Sequence, residues 1–334
     1  MGKKKIQRVS MQHIADEVGV ARSTVSFILN GKEKEGRISE EVARRVRLVA
    51  QNMNYQINEV ARGLRTGYSN TIALVVADVS DVFFGSMAYH IQEYAESKGY
   101  ALIIINTGEK QERLSSAFKT IINRQIDGVL MIPVVNMKDG ALKQLNPEIP
   151  MVLIDRYFKS LTTSRVIINN YEVSKTATQC LIEKGCRRIA LISFRENLMH
   201  IQDRKRGFTE VLSVCHILDE SLICEADYRN YNEKVTAFLS ETMHRIDGLF
   251  IATGGLSSVV IRFLVRMGIR LQSDIQVIGF GRIDAATGVT IPYVRQPLEE
   301  ICRKSFDILL EQIKSQDNKI VDCVIPATIV TDTL

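Results

Sequence analysis

The sequence has no run of apolar residues approaching the roughly eighteen that a membrane-spanning helix needs, which excludes a transmembrane anchor. The basic N-terminus (Lys3, Lys4, Lys5, Arg8) leads to polar Gln12 and His13 rather than to an apolar stretch. No secretory leader is read there, and the chain is expected in the cytoplasm. The six cysteines (Cys180, Cys186, Cys215, Cys224, Cys302, Cys323) include no Cys-x-x-Cys pair, and the five histidines form no His-x-x-His. In a reducing compartment such cysteines act as small buried apolar residues, so neither a disulfide framework nor a metal centre is expected. A Walker A loop, a Gly-x-Ser-x-Gly elbow and a complete Gly-x-Gly-x-x-Gly are all missing; Gly279-Phe280-Gly281 is only a fragment of the last. No acid–base pair stands in a catalytic context. An enzyme and a cofactor are therefore not expected.

What is present suffices for more than one core. At 334 residues, 46% hydrophobic and 24% charged, the chain suits two or three globular units. Its charge is divided unevenly. Residues 1–68 hold 13 Lys and Arg against 7 Asp and Glu, whereas the remainder holds 30 against 31. This asymmetry points to a polyanion partner for the N-terminal module alone, a basic solvated tail being the alternative.

Ser10 is a good N-cap for a helix over 11–18, with Ile14 and Val18 on one face and Gly19 breaking it. A second short helix over 21–29 turns Val25, Ile28 and Leu29 inward and closes at Asn30-Gly31. Ser39-Glu40-Glu41 starts a third helix over 40–52, with Val42, Val46 and Val49 inward and Arg44, Arg45 and Arg47 toward solvent or phosphate. Two short helices across a tight turn, with small Ala15 at the crossing, read as a helix-turn-helix. Three such helices form a small DNA-reading bundle.

From Thr71 onward the pattern alternates. Strands are predicted over 71–76, 100–106, 128–132, 151–154, 189–193, 248–252 and 275–280, and helices over 84–98, 111–124, 172–184, 204–214, 233–243 and 257–267. Such alternation means parallel sheets with helical crossovers, here too many for one sheet, so two α/β lobes are expected. Ligands in such sheets bind at the carboxyl ends of the strands.

Residues 14–30 (IADEVGVARSTVSFILN) closely resemble the helix-turn-helix signature of the LacI/GalR family of bacterial regulators, and 54–67 (NYQINEVARGLRTG) resemble its hinge. Segments at 78–84, 126–129, 150–156, 184–189, 204–208, 279–280 and 294–297 resemble, in order, that family's core, which is like a type I periplasmic binding protein. The resemblance implies an N-terminal all-α helix-turn-helix headpiece (1–56), a hinge (57–68) and an α/β two-lobe effector-binding and dimerisation core (69–334). The implied lobes are 69–166 with 296–322 and 167–295 with 323–334, crossing near Val166, Arg295 and Cys323. It further implies a repressor of a carbohydrate or related operon, acting as a homodimer on a pseudo-palindromic double-stranded operator under a small-molecule effector. A binding protein with a vestigial cleft and a transporter-type solute-binding protein are the alternatives; the latter carries no headpiece.

By the same resemblance the second helix enters the major groove, and Arg22, Ser23 and Phe27 fall where the family reads bases. Arg22 can donate two hydrogen bonds to a guanine, worth roughly 1–3 kcal/mol of discrimination. Phe27 stands where the family usually has arginine; its ring either packs on a thymine methyl or turns into the bundle. Ser10, Met11, Thr24, Ser26, Asn30 and Tyr55 complete the DNA-facing set with capping or phosphate roles. In the hinge, Asn58 and Ala61 match positions facing DNA backbone and partner hinge, and Leu64 matches the leucine wedged into the minor groove.

The resemblance places the effector among Phe83, Phe84, Asp155, Arg156, Asn169, Arg204, Gly254 and Gly281, with the two phenylalanines stacking on it or belonging to the core. Several family acids and amides are replaced: Asn169-Asn170 stands for Asp-Asn, Gly254-Gly255 for Asn-Asp, and Gly281 for Asp. Arginine is kept at Arg204, with Arg156, Arg195 and Arg282 nearby. Fewer carboxylates beside retained arginine suit an anion such as a sugar acid or a phosphorylated metabolite. A neutral ligand, or a cleft that has lost its ligand, stays open.

Overall fold

The computed structural model describes residues 9–56, 63, 67–135, 137, 141–145, 148–160, 162–195, 197–282, 291–315 and 319–331. Two compact units, Met1–Ser69 and Asn70–Leu334, make up the chain.

The first unit packs α1 (Met11–Val18), α2 (Arg22–Leu29) and α3 (Glu40–Asn52) around Ile14, Ala15, Val18, Val25, Ile28, Ala43, Val46 and Ala50. Local chemistry sets each boundary. Ser10 Oγ accepts from the His13 N–H while His13 Nδ1 accepts from the Ser10 N–H, a reciprocal cap with histidine in the usual Glu position. Gly19 ends α1 in the left-handed region at φ 76°, its N–H on the Ala15 carbonyl. Ser39 Oγ accepts from the Val42 N–H, and Glu40 and Glu41 complement the positive end of α3. Leu29, Val42 and Val49, expected inward, are only partly buried against this core.

The second unit runs β1 (Thr71–Val76), α4 (Val82–Ser97), β2 (Ala101–Asn106), α5 (Gln111–Asn123), β3 (Gly128–Met131), β4 (Met151–Ile154) and β5 (Ser164–Ile168). It continues through α6 (Asn170–Glu183), β6 (Ile189–Phe194), α7 (Met199–Val214), β7 (Ile223–Ala226), α8 (Tyr231–Thr242), β8 (Gly248–Ile251), α9 (Gly254–Arg266), β9 (Gln276–Phe280) and β10 (Tyr293–Arg295). It ends with α10 (Leu298–Ser315), β11 (Asp322–Ile325) and β12 (Thr328–Val330). Two sheets result, ordered β11-β5-β4-β3-β1-β2 and β12-β10-β9-β8-β6-β7, with every pairing parallel except β10 with β12. Central strands such as β3 and β8 are buried throughout because helices cover both faces.

The chain passes between the sheets after Ile168, after Arg295 and at Pro326-Ala327. The first and last passages fall beyond the expected Val166 and Cys323, because β11 pairs with β5 all the way to Ile325 and Ile168. Strands β5, β7, β10, β11 and β12 and helix α10 lie outside the expected elements. Arg165 and Glu225 interrupt the apolar runs of β5 and β7, and β10 and β12 are three residues each, too short for a period to show. Buried Ser305 and Gln312 dilute the apolar face of α10. Helix α7 begins at Met199 instead of 204, because Met199, His200 and Ile201 are buried although His200, Gln202 and Asp203 read as loop. That early start shapes the site.

Candidate functional site

On the headpiece, Arg22 and Ser23 are exposed in the first turn of α2, and Phe27 follows one turn later on the same side. Phe27 is 39% exposed and stands outside the bundle core, with Gly36 closely approaching its ring from behind. Thr24 and Ser26 are partly buried beside this face. Asn30 Nδ2 donates to the Ser26 carbonyl at 2.6 Å, so its amide is spent on ending α2. Ser10 is likewise committed to its cap, Met11 packs against the core, and Tyr55 packs there too, its phenol pKa raised by burial. The three arginines of α3 are exposed as expected; Arg45 also donates to the Val18 carbonyl and Arg47 pairs with Glu33. Asn58, Ala61 and Leu64 lie outside the described residues.

In the second unit the segments past the carboxyl ends of both sheets meet, Arg156 after β4 reaching Tyr228 after β7, where the expected effector cleft lies. Arg156, just past β4, is buried and pairs with Glu109 (Nη1–Oε1, 2.6 Å); its guanidinium lies 5.0 Å from the Phe84 ring centroid. Glu109 also accepts from the Val135 N–H at 2.8 Å. Asp155 sits 3.9 Å from Arg156 Nε and has φ 65°, while the Arg156 N–H folds back onto the Ile154 carbonyl. This is a tight γ-turn on a non-glycine residue, a strained geometry that concentrates at functional sites. Glu109, at φ 57°, is a second such residue on the same guanidinium.

Across the cleft, Arg204 is buried on α7, and its Nε donates to Asn170 Oδ1 at 2.8 Å and Nη1 to the Ala252 carbonyl at 2.9 Å. Its guanidinium stacks on Phe280, 3.4 Å from the ring centroid, a desolvated contact worth about 2 kcal/mol. Burial lowers its pKa to about 10, still charged at neutral pH; Asp155 opposes that shift. Burial works against the charge on Arg156 as well, but Tyr228, Glu109 and Asp155 together hold it protonated. Burial raises the pKa of Asp155, with Arg204 and Arg156 opposing. Phe194 and Tyr228 form a parallel stack, 4.1 Å between centroids, on the second lobe. His200 Nδ1, Thr253 Oγ1 and Ser257 Oγ are buried with no hydrogen-bond partner, an arrangement that calls for a ligand or water.

Residues 69–333 match the model of the periplasmic binding proteins and sugar-binding domain of the LacI family, and residues 10–58 match that of the bacterial regulatory proteins of the lacI family. The chain belongs to the LacI family. It is 29% identical to the ribose operon repressor of Halalkalibacterium halodurans, over 92% of this chain and 91% of that one. It is 27% identical to the HTH-type transcriptional repressor PurR of Vibrio atlanticus, over 93% of each. The Lac repressor bound to ONPG in its repressed state shares the fold, with a TM-score of 0.84 at 16% identity over 97% of this chain and 99% of that one.

For this LacI-family chain the structure brings Phe84, Asp155 and Arg156 together and sets Arg204 opposite them. Gly254 and Gly281 follow Ala252 and Phe280, the residues past β8 and at the end of β9 that Arg204 touches, and Phe83 packs edge-on to Phe84. Asn169 is turned elsewhere: its Oδ1 accepts from the Ala327 N–H, clipping two passages between the lobes. The neighbouring Asn170 holds Arg204 instead. The cleft is also less depleted of carboxylates than the sequence implied, because Glu109 and Asp155 stand against its two arginines. Glu109, Phe194, His200 and Tyr228 were missed by sequence reasoning. The rule that ligands gather at strand carboxyl ends flags Glu109, Phe194 and Tyr228, but no motif marks them.

His200 sets a pH dependence. Burial, and then Arg204 and Arg156, hold its pKa well below the ordinary 6.5, so the folded chain keeps it neutral. The unfolded chain takes the proton as pH falls through 6.5, so this group's contribution to stability is complete above that pH and lost below it. The loss is about 1.4 kcal/mol per pH unit until the folded pKa is reached. Urea melts at pH 7, 6 and 5 should show this slope in the parent and not in His200→Gln; equal slopes would refute it.

Proposed function

We propose that this chain is a transcriptional repressor that reads an operator through Arg22, Ser23 and Phe27 and responds to a small, uncharged, sugar-like effector held between its lobes. The observation carrying the DNA reading is the exposed Arg22–Ser23–Phe27 face on a helix whose other side is fully used by the bundle. The effector reading is supported by the pairing of each cleft arginine with an acceptor side chain and an aromatic ring, the donor–acceptor mixture that hydroxyl groups need. No residue is assigned a catalytic role. One observation favours an anion instead: α9 starts at Gly254-Gly255 beside Arg204, and its N-cap Thr253 makes no side-chain cap bond.

Selection from sheared genomic DNA tests the first part; a shared pseudo-palindrome is expected, and diffuse salt-sensitive binding would count against it. Titration calorimetry with pentoses, hexoses and their phosphates tests the second. Binding of the neutral sugars is expected, and tight binding of phosphates alone would establish the anionic alternative.

A homodimer is part of the same proposal. Val82 (83% exposed) and Tyr89 (61%) lie two turns apart on α4, which packs against the edge strand β2 with its exposed Ile104. An apolar helix face beside an open sheet edge suits a second copy of this chain. Tyr89→Asp with Ile104→Lys should shift the sedimenting species from dimer to monomer; an unchanged dimer would place the interface elsewhere.

A further inference from the structure

The segment Asp155-Arg156-Tyr157 grips the opposite lobe at two points. Arg156 Nη2 donates to the Tyr228 hydroxyl at 3.3 Å, and the Met199 N–H, the first of α7, donates to the Tyr157 carbonyl at 3.2 Å. The second bond matters because Leu198, the N-cap of α7, offers no capping side chain. A carbonyl from the other lobe therefore caps this helix, and lobe opening leaves that amide to water. The first bond depends on where Arg156 points. Nη1 is fixed by Glu109 and by the Pro133 carbonyl at 3.4 Å, Phe84 covers the guanidinium face, and Nη2 is left aimed across the cleft. Tyr228 is held in turn by its stack on Phe194.

We infer that Glu109 is a positioning residue for a clasp, formed by Arg156 with Tyr228 and Tyr157 with Met199, by which the chain's own residues hold the two lobes together. Glu109 touches nothing on the second lobe among its hydrogen bonds and ion pairs; it acts through Arg156. Its backbone supports this role. Gly108 and Glu109 both have φ 57°, a left-handed turn after β2 that costs energy at Glu109 and delivers its carboxylate to both the Val135 amide and Arg156. An effector then enters lobes that are already biased shut, and it must offer Arg156 an acceptor where the tyrosine hydroxyl stood. The inference rests on the cleft reading for that consequence only; closure itself needs neither effector nor DNA.

The test uses the full chain without ligand. Spin labels at Lys119→Cys on α5 and Glu233→Cys on α8, both exposed, report lobe separation in a background of Cys180→Ser, Cys215→Ser and Cys323→Ser. The parent, with labelled chains diluted in unlabelled ones, should give one short distance. Tyr228→Phe removes the hydroxyl and keeps the stack, and Glu109→Gln removes the charge holding Arg156. Each should move the open-to-closed ratio about tenfold toward open, the scale of one charge-assisted hydrogen bond. Because both act through one guanidinium, the double variant should open little further than the more open single variant. An open parent, or unchanged distances in Tyr228→Phe, would overturn the clasp. A Glu109→Gln protein that melts earlier with its distances unchanged would make Glu109 merely structural and overturn its role. None of these outcomes depends on which ligand or operator the protein recognises.

Discussion

Gly207→Ala lowers the melting temperature of the effector unit by on the order of 6–12 °C, the largest stability effect expected of one methyl group in this chain. A Cβ built at Gly207 comes 2.4 Å from the Tyr171 carbonyl oxygen, 3.1 Å from Ser174 Cβ and 3.2 Å from the Lys175 amide nitrogen. Two of those three atoms are backbone of α6, so no rotamer change relieves the overlap and α6 and α7 must separate. Overpacking of this kind costs about 3 kcal/mol. It also displaces Arg204, one turn before Gly207 on the same helix, so cleft affinity should fall with stability. Gly255→Ala is the control. Its Cβ meets only Phe194 at 3.8 Å, and alanine favours the helix by roughly 0.5–1 kcal/mol. Calorimetric melts decide: equal melting temperatures for the two variants would mean that the helix contact yields more easily than backbone atoms should.

The second large effect concerns DNA. Arg22→Ala removes an exposed guanidinium from the first turn of α2, where nothing in the bundle core depends on it. Loss of a bidentate guanine contact costs roughly 1–3 kcal/mol, hence about 2–6 kcal/mol when both headpieces of a dimer lose it. Specificity should relax at one symmetric pair of positions. Arg44→Ala, which removes an exposed charge from α3, should weaken binding to all sequences alike and reduce the salt slope by about two, one for each headpiece. Fluorescence anisotropy with operator variants at several salt concentrations separates these outcomes. If Arg22→Ala only reduced the salt slope, Arg22 would be a phosphate contact and not a base reader.

The headpiece was legible almost residue by residue. Ser10, Gly19 and Ser39 act on neighbours within four residues, so α1 and α3 fall at the expected positions and α2 one residue late. Strands β1, β2, β3, β4, β6, β8 and β9 were legible from their apolar runs, which burial on both faces explains for all but the edge strand β2. Strands β5, β7, β10, β11 and β12 were not. Arg165 and Glu225 break the apolar runs of β5 and β7, β10 and β12 are three residues each, and β11 owes its conformation to a partner far along the chain, Asp322–Ile325 pairing with Arg165–Ile168.

The cleft divides along the same line. Arg204, Asp155 and Arg156 stand in segments that the sequence alone marked. Their state was decided by residues brought in from elsewhere: Glu109 from 47 positions before Arg156, Tyr228 from 72 positions after it, and Asn170 from 34 positions before Arg204. An arginine read alone looks like an anion site. The same arginine beside a carboxylate, a ring and a phenol becomes part of a balanced, hydrogen-bonded wall, because in a low-dielectric cleft a charge is governed by what lies within a few ångströms. By itself the sequence determined which helices form the headpiece and that two α/β lobes follow. Tertiary structure alone decided how the cleft charges are paired and what joins the lobes, since both depend on contacts between strand ends that are remote in sequence and adjacent only in the folded sheets.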